Sequence, residues 1–183
     1  SKQIKTTLRT SGSACSGSRA RGLMSYPTLQ DLSLSELEPR LRLLPDELLL
    51  LKSVRLDQNR LGLALLFVAS RTLGYIPRTR QEIPAAAVEF VAGQLGLPPR
   101  LFAEYRWKRR VWKQHCVRVR ATLPLRPLEF LEKQALRQWL IEKGYTPNRR
   151  EMLRAAISRC RQLGFELPQE PELLRVVRSA RRV

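Results

Sequence analysis

The sequence has few of the residues on which catalytic and metal sites depend. Its 183 residues include one histidine and three cysteines, and aspartate occurs only at positions 31, 46 and 57. Cys15, Cys116 and Cys160 are far apart, which fits neither a disulfide framework nor a zinc-binding spacing. No phosphate-binding glycine loop, nucleophile elbow or paired-histidine motif occurs. We therefore expect a chain that is not an enzyme, with no catalytic residues, no metal and no cofactor.

Acidic residues and long apolar runs are scarce as well. The chain carries 34 Lys and Arg against 16 Asp and Glu, a formal net charge of +18. Such an excess repels itself in a folded chain and is typical of proteins that bind a polyanion. No apolar run approaches the roughly 20 residues that a transmembrane helix needs, and no signal-peptide pattern is present. We expect a cytoplasmic, nucleoid-associated protein with no membrane partner and no small-molecule substrate.

The apolar residues follow a helical pattern from residue 24 onward. They recur at intervals of three and four, as at Leu61, Leu65 and Val68, and prolines and glycines mark helix starts and stops. No stretch alternates with a period of two, and there is no Asn-Gly hairpin signal. The sequence predicts an all-α fold of about eight or nine helices with short connectors. For a basic helical chain, a pair of helix-turn-helix-like modules is the commonest arrangement.

Composition divides the chain into three parts. Residues 1–23 are rich in Ser, Thr, Gly, Lys and Arg without periodicity, which predicts a disordered basic tail. We expect a first helical module over residues 24–96 and a second, strongly basic module over residues 97–183. The charge follows this division, because residues 24–58 have a net charge of −2 whereas residues 97–126 have a net charge of +8.

The densest basic segment is AEYRWKRRVWKQHCVRVR, at residues 103–120. A helix from Tyr105 to Leu123 would carry an apolar stripe through Cys116, with a cationic face beside it. That combination suits a helix docked in a major groove or laid along phosphates, although a solvated arginine-rich face has the same pattern. The candidate DNA-binding residues here are Arg106, Trp107, Lys108, Arg109, Arg110, Lys113, His115, Arg118 and Arg120.

Two of these candidates have an alternative role. Trp107 falls opposite the apolar stripe, where it either fills a second packing layer or props the helix against a sugar-phosphate strand. His115 has no second histidine or carboxylate near it in sequence, so a phosphate contact or a place in the core is expected.

A second basic cluster opens the helix predicted over NRREMLRAAISRCRQLG. Arg149, Arg150 and Arg154 are its candidate DNA-binding residues. Backbone N–H groups in a first helical turn also favour phosphate. Ion pairs with Glu151 and Glu142 are the alternative explanation for these arginines.

An ordered series of motifs resembles the amino-terminal region of Tn-three-family replicative transposases, over roughly residues 24–183. The series includes DQNRLGLALLFVASRTLGYIP, EIPAAAVEFVAGQLGL, YRWKRRVWKQH and LPLRP. NRLGLALL and the arrangement of Tyr105, Trp107 and His115 are its most specific parts. In that family this region binds the terminal inverted repeats of the transposon, and a separate carboxy-terminal Asp-Asp-Glu domain cuts and joins strands.

The resemblance implies sequence-specific binding to double-stranded DNA at terminal inverted repeats, by the non-catalytic amino-terminal part of a Tn-three-type transposase or by a stand-alone relative of one. It implies no catalysis by this chain, since the Asp-Asp-Glu domain lies outside it. A homodimer that forms through further domains is a further expected partner. Two alternatives stay open. An RNA-binding or ribosome-associated protein would share the charge, although no RNP-like aromatic strand is present. A regulatory protein-interaction module with an acidic partner would share it too.

Overall fold

The structure, a computed structural model, describes residues 26–144 and 148–182. The predicted all-α class is confirmed for these residues, which form eight α-helices and two 3-10 helices. The α-helices are α1 (Leu34–Arg40), α2 (Pro45–Lys52), α3 (Asp57–Leu73), α4 (Ala85–Leu95), α5 (Arg110–Thr122), α6 (Phe130–Glu142), α7 (Arg149–Gln162) and α8 (Glu170–Ala180). The 3-10 helices are Arg80–Glu82 and Pro99–Glu104. The predicted tail, residues 1–23, lies outside the described residues.

Local capping residues set several of the helix ends. The Glu36 carboxylate accepts from the backbone N–H and the hydroxyl of Ser33, at 2.9 and 2.7 Å, and so caps the start of α1. Gly74 ends α3 with φ 83°, a left-handed conformation that costs glycine little. Its N–H closes the helix on the Ser70 carbonyl.

The helix α3 lies at the centre of the hydrophobic core. All of its residues from 61 to 70 are buried, and α2, α4, α5 and the 3-10 helix Pro99–Glu104 pack against it. The helices α6, α7 and α8 pack against one another. Their buried side chains join those around α3 in a single hydrophobic cluster. In the part of the chain that the structure describes, no helix combines the length and apolar character needed to cross a bilayer.

Packing crosses the predicted boundary between modules. The 3-10 helix Pro99–Glu104 and α5 both pack on α3, and the Leu167 N–H donates to the Gly74 carbonyl at 2.8 Å. The division at residue 96 stays a prediction, and helix-turn-helix modules are not confirmed. What precedes α5 is a 3-10 helix and a turn, whereas a helix-turn-helix has a second α-helix at that place.

Candidate nucleic-acid interface

The basic segment is not one continuous helix. The 3-10 helix ends at Glu104, Tyr105 is extended, and α5 begins only at Arg110. The predicted helix from Tyr105 was therefore wrong for its first five residues, and Arg106, Lys108 and Arg109 precede α5. Lys108 has φ 59°, a left-handed conformation that interrupts a right-handed helix. Here tertiary packing overrides the helical periodicity of the sequence.

A cluster of aromatic rings holds the turn before α5 against α3. A Cβ added to Gly62 would overlap the Tyr105 ring, lying 2.6 Å from its Cγ. The Tyr105 hydroxyl and His115 Nδ1 share a hydrogen bond of 2.9 Å. Trp107 meets Tyr105 and Phe102 edge-on, with ring centroids 5.4 and 5.9 Å apart. The motifs NRLGLALL and Tyr-x-Trp…His, which carry the family resemblance, thus meet in one contact.

His115 and Trp107 take the packing roles that the sequence left open. His115 is 5% exposed, and its burial, with a smaller effect from the Arg118 charge, lowers its pKa to about 4. A buried neutral imidazole cannot form an ion pair with phosphate, so its surroundings favour the place in the core for His115, and its DNA contact stays a prediction. Trp107 is half-buried against the core cluster, and its indole Nε1 is buried with no hydrogen-bond partner among the described residues.

Exposed cations surround the start of α5. Arg106, Lys108, Arg109, Arg110 and Lys113 are all exposed, and among the described residues no carboxylate lies within 4.0 Å of any of them. The first turn of α5 contains no acidic residue. These five residues, the turn cations, form an unpaired positive surface around the amino-terminal end of a helix, where backbone N–H groups add further positive potential.

The last two cations predicted on α5 differ from each other. The Arg120 Nε and Nη2 donate to the two Glu166 carboxylate oxygens, at 2.7 and 3.0 Å. This bidentate bond raises the pKa of Arg120 and gives the side chain an intramolecular partner. Arg120 is nevertheless exposed, and its DNA contact stays a prediction. Arg118 is exposed, and its Nη1 lies 3.4 Å from Ser53 Oγ.

The helix α5 also exposes residues that charge alone did not single out. Gln114, Val117 and Ala121 are exposed opposite the buried Cys116 and Val119. Val117 is 66% exposed, although valine is normally a core residue. Spacings of three and four on the side opposite the apolar stripe could have identified this face in the sequence.

The second basic cluster lies on α7. Arg149, Arg150 and Arg154 are exposed, and the Asn148 side chain caps the helix by accepting from the Arg150 N–H at 3.1 Å. Since α7 packs against α6 and α8 whereas α5 packs against α3, different groups of helices carry the two clusters. The described residues contain no group of three His, Cys, Asp or Glu side chains that could hold a metal ion.

Comparison with known protein families identifies the family of this chain. No curated protein matches the chain significantly. One family model matches residues 20–180, which is most of the sequence. The chain therefore belongs to the family described as Domain of unknown function (DUF4158).

Proposed function

We propose that this chain binds double-stranded DNA through α5 and the turn before it, and that its site is the terminal inverted repeat of a Tn-three-type transposon. The observation that supports this most is the group of five exposed turn cations without a carboxylate partner among the described residues. The family to which the chain belongs is known to occur in Tn-three-family transposases. The motifs that resemble such transposases include the turn itself.

The chemistry of the turn cations fits the phosphate backbone. Three of the five are arginines, whose planar guanidinium groups donate two parallel hydrogen bonds to phosphate oxygens. Each phosphate neutralised releases counterions from the DNA, so binding depends steeply on salt concentration. Contacts of this kind position a protein on the duplex, while contacts to base edges select the sequence.

The experiment is a salt titration of binding to a labelled duplex, followed by fluorescence anisotropy. The test variant is Arg109→Ala/Arg110→Ala. The control is Arg42→Ala/Arg55→Ala, which removes the same charge from exposed arginines in the acidic part of the chain. Loss of two phosphate contacts makes the negative slope of log K against log salt shallower by about 1.8. The control should leave that slope unchanged.

The result separates the alternatives. Equal effects of the two double variants would contradict the proposal, because binding would then depend on total charge and not on this surface. A duplex RNA competitor in the same assay should displace the DNA poorly. The reason is that the major groove of A-form RNA is too narrow for a helix to enter. Tighter binding to A-form RNA than to duplex DNA would instead favour the RNA-binding alternative.

A further inference from the structure

One face of α5 has an arrangement that phosphate binding leaves unexplained. Gln114, Val117 and Ala121 lie along its solvent side, and the Gln114 amide has no hydrogen-bond partner among the described residues. A single exposed valine is ordinary on a protein surface. Here, however, Val117 lies between an amide and a methyl group, in the most basic part of the chain. We call these three residues the α5 outer face.

Cations border the α5 outer face on both sides. At about 100° per residue, Lys113 lies about 70° to one side of the centre of this face and Arg118 about 70° to the other. Arg110 continues the face towards the amino-terminal end of the helix. The two phosphate rows that border a major groove lie on either side of a helix placed in that groove, which is about 12 Å wide. A short uncharged strip with cations along both edges matches that target.

From this geometry we infer that the α5 outer face reads base edges in the major groove of B-form DNA. The Gln114 amide donates to N7 and accepts from the N6 amino group of an adenine, and the Val117 methyl groups contact the C5 methyl group of a thymine. Ala121 is small enough to let the helix backbone approach the bases. The inference rests on the proposed DNA binding and adds that this face selects A·T base pairs.

The test is a selection of duplexes from a random library by the whole chain, repeated for single variants. Gln114→Ala and Val117→Ala are the test variants. Gln134→Ala is the control, because Gln134 is an exposed glutamine on α6. All three positions are exposed on helices, so we expect unchanged thermal unfolding temperatures, which are measured first.

We expect Gln114→Ala to reduce the preference for adenine at one position of the selected motif by roughly tenfold or more, the effect of losing a bidentate base contact. Val117→Ala should weaken the preference for thymine at a neighbouring position, and Gln134→Ala should leave the motif unchanged. Gln114→Glu should shift the first position towards cytosine, whose N4 amino group a carboxylate accepts.

The outcomes distinguish this inference from the proposed function. A specific motif that stays the same in both test variants would overturn base reading by α5 and leave DNA binding intact. A flat profile for the unmodified chain, with no motif enriched at any salt concentration, would overturn sequence-specific DNA binding and this inference with it.

Discussion

Acidification is expected to destabilise the chain through His115. It is the only histidine in the sequence, it is 5% exposed, and its burial lowers its pKa to about 4. In the unfolded chain an imidazole takes up its proton near pH 6.5. Between these two pKa values the unfolded state binds more protons, so stability is lost as the pH falls below 6.5, until the loss is complete below about pH 4.

The size of this effect follows from the two pKa values. A change of one in pKa corresponds to about 1.4 kcal/mol, so the complete loss is about 3 kcal/mol. Integrating the proton linkage from neutral pH down to pH 5 gives a loss of about 2 kcal/mol. Since domains are typically stable by only about 5–15 kcal/mol, a loss of this size is measurable and substantial.

Urea unfolding from pH 7.5 to pH 4.5 measures the effect in the unmodified chain and in His115→Gln. Glutamine can keep a hydrogen bond to Tyr105 but does not titrate. The free energy of unfolding of the unmodified chain, relative to the variant, should fall by about 2 kcal/mol between pH 7.5 and pH 5. The opposite result is an imidazole NMR signal that titrates near pH 6.5 in the folded protein, with the same pH dependence of stability in the unmodified chain and in His115→Gln. It would show that burial does not hold His115 in its neutral form.

Two further predictions concern the turn that carries the exposed cations. Gly62→Ala should lower the free energy of unfolding by roughly 2–3 kcal/mol, because its Cβ overlaps the Tyr105 ring. In the control Gly93→Ala, the added Cβ comes within 4 Å of no described atom outside its chain neighbours and the backbone of its own helix. Urea unfolding of this control should therefore show a stability that is unchanged or higher by up to about 1 kcal/mol. Lys108→Gly and Lys108→Ala should weaken DNA binding equally. Lys108→Gly should have a free energy of unfolding about 1 kcal/mol higher than that of Lys108→Ala, because position 108 has φ 59°, which strains a residue with a Cβ. Equal stability of the two variants would contradict strain at this position.

The elements that the sequence predicted well depend on local signals. Prolines and glycines, which in the sequence mark helix starts and stops, include Pro45, where α2 begins, and Gly74, where α3 ends. The conformational limits of these residues themselves set the helix boundary. The apolar stripe on α5 through Cys116 and Val119 is buried, as the helical periodicity indicated. These features need no knowledge of distant parts of the chain.

The features of the site that the sequence did not reveal depend on contacts between residues far apart in sequence. The break before α5 depends on the ring of Tyr105 filling the space left by Gly62 on another helix. The pairing of Arg120 with Glu166 joins residues 46 positions apart. A local pattern of charge cannot distinguish an arginine with such a partner from one without it. It could identify a basic segment but not the subset of its cations that stays unpaired.

Selection of duplex DNA at physiological salt shows directly whether this chain recognises the ends of a transposon. Sheared DNA from the protein's own source is passed over the chain, and the retained fragments are sequenced. We expect enrichment of one short motif, present in inverted orientation at the two ends of a mobile element. Uniform retention of all sequences that is lost as the salt concentration rises would contradict recognition of transposon ends. Only nonspecific attraction between the basic chain and phosphate would then remain.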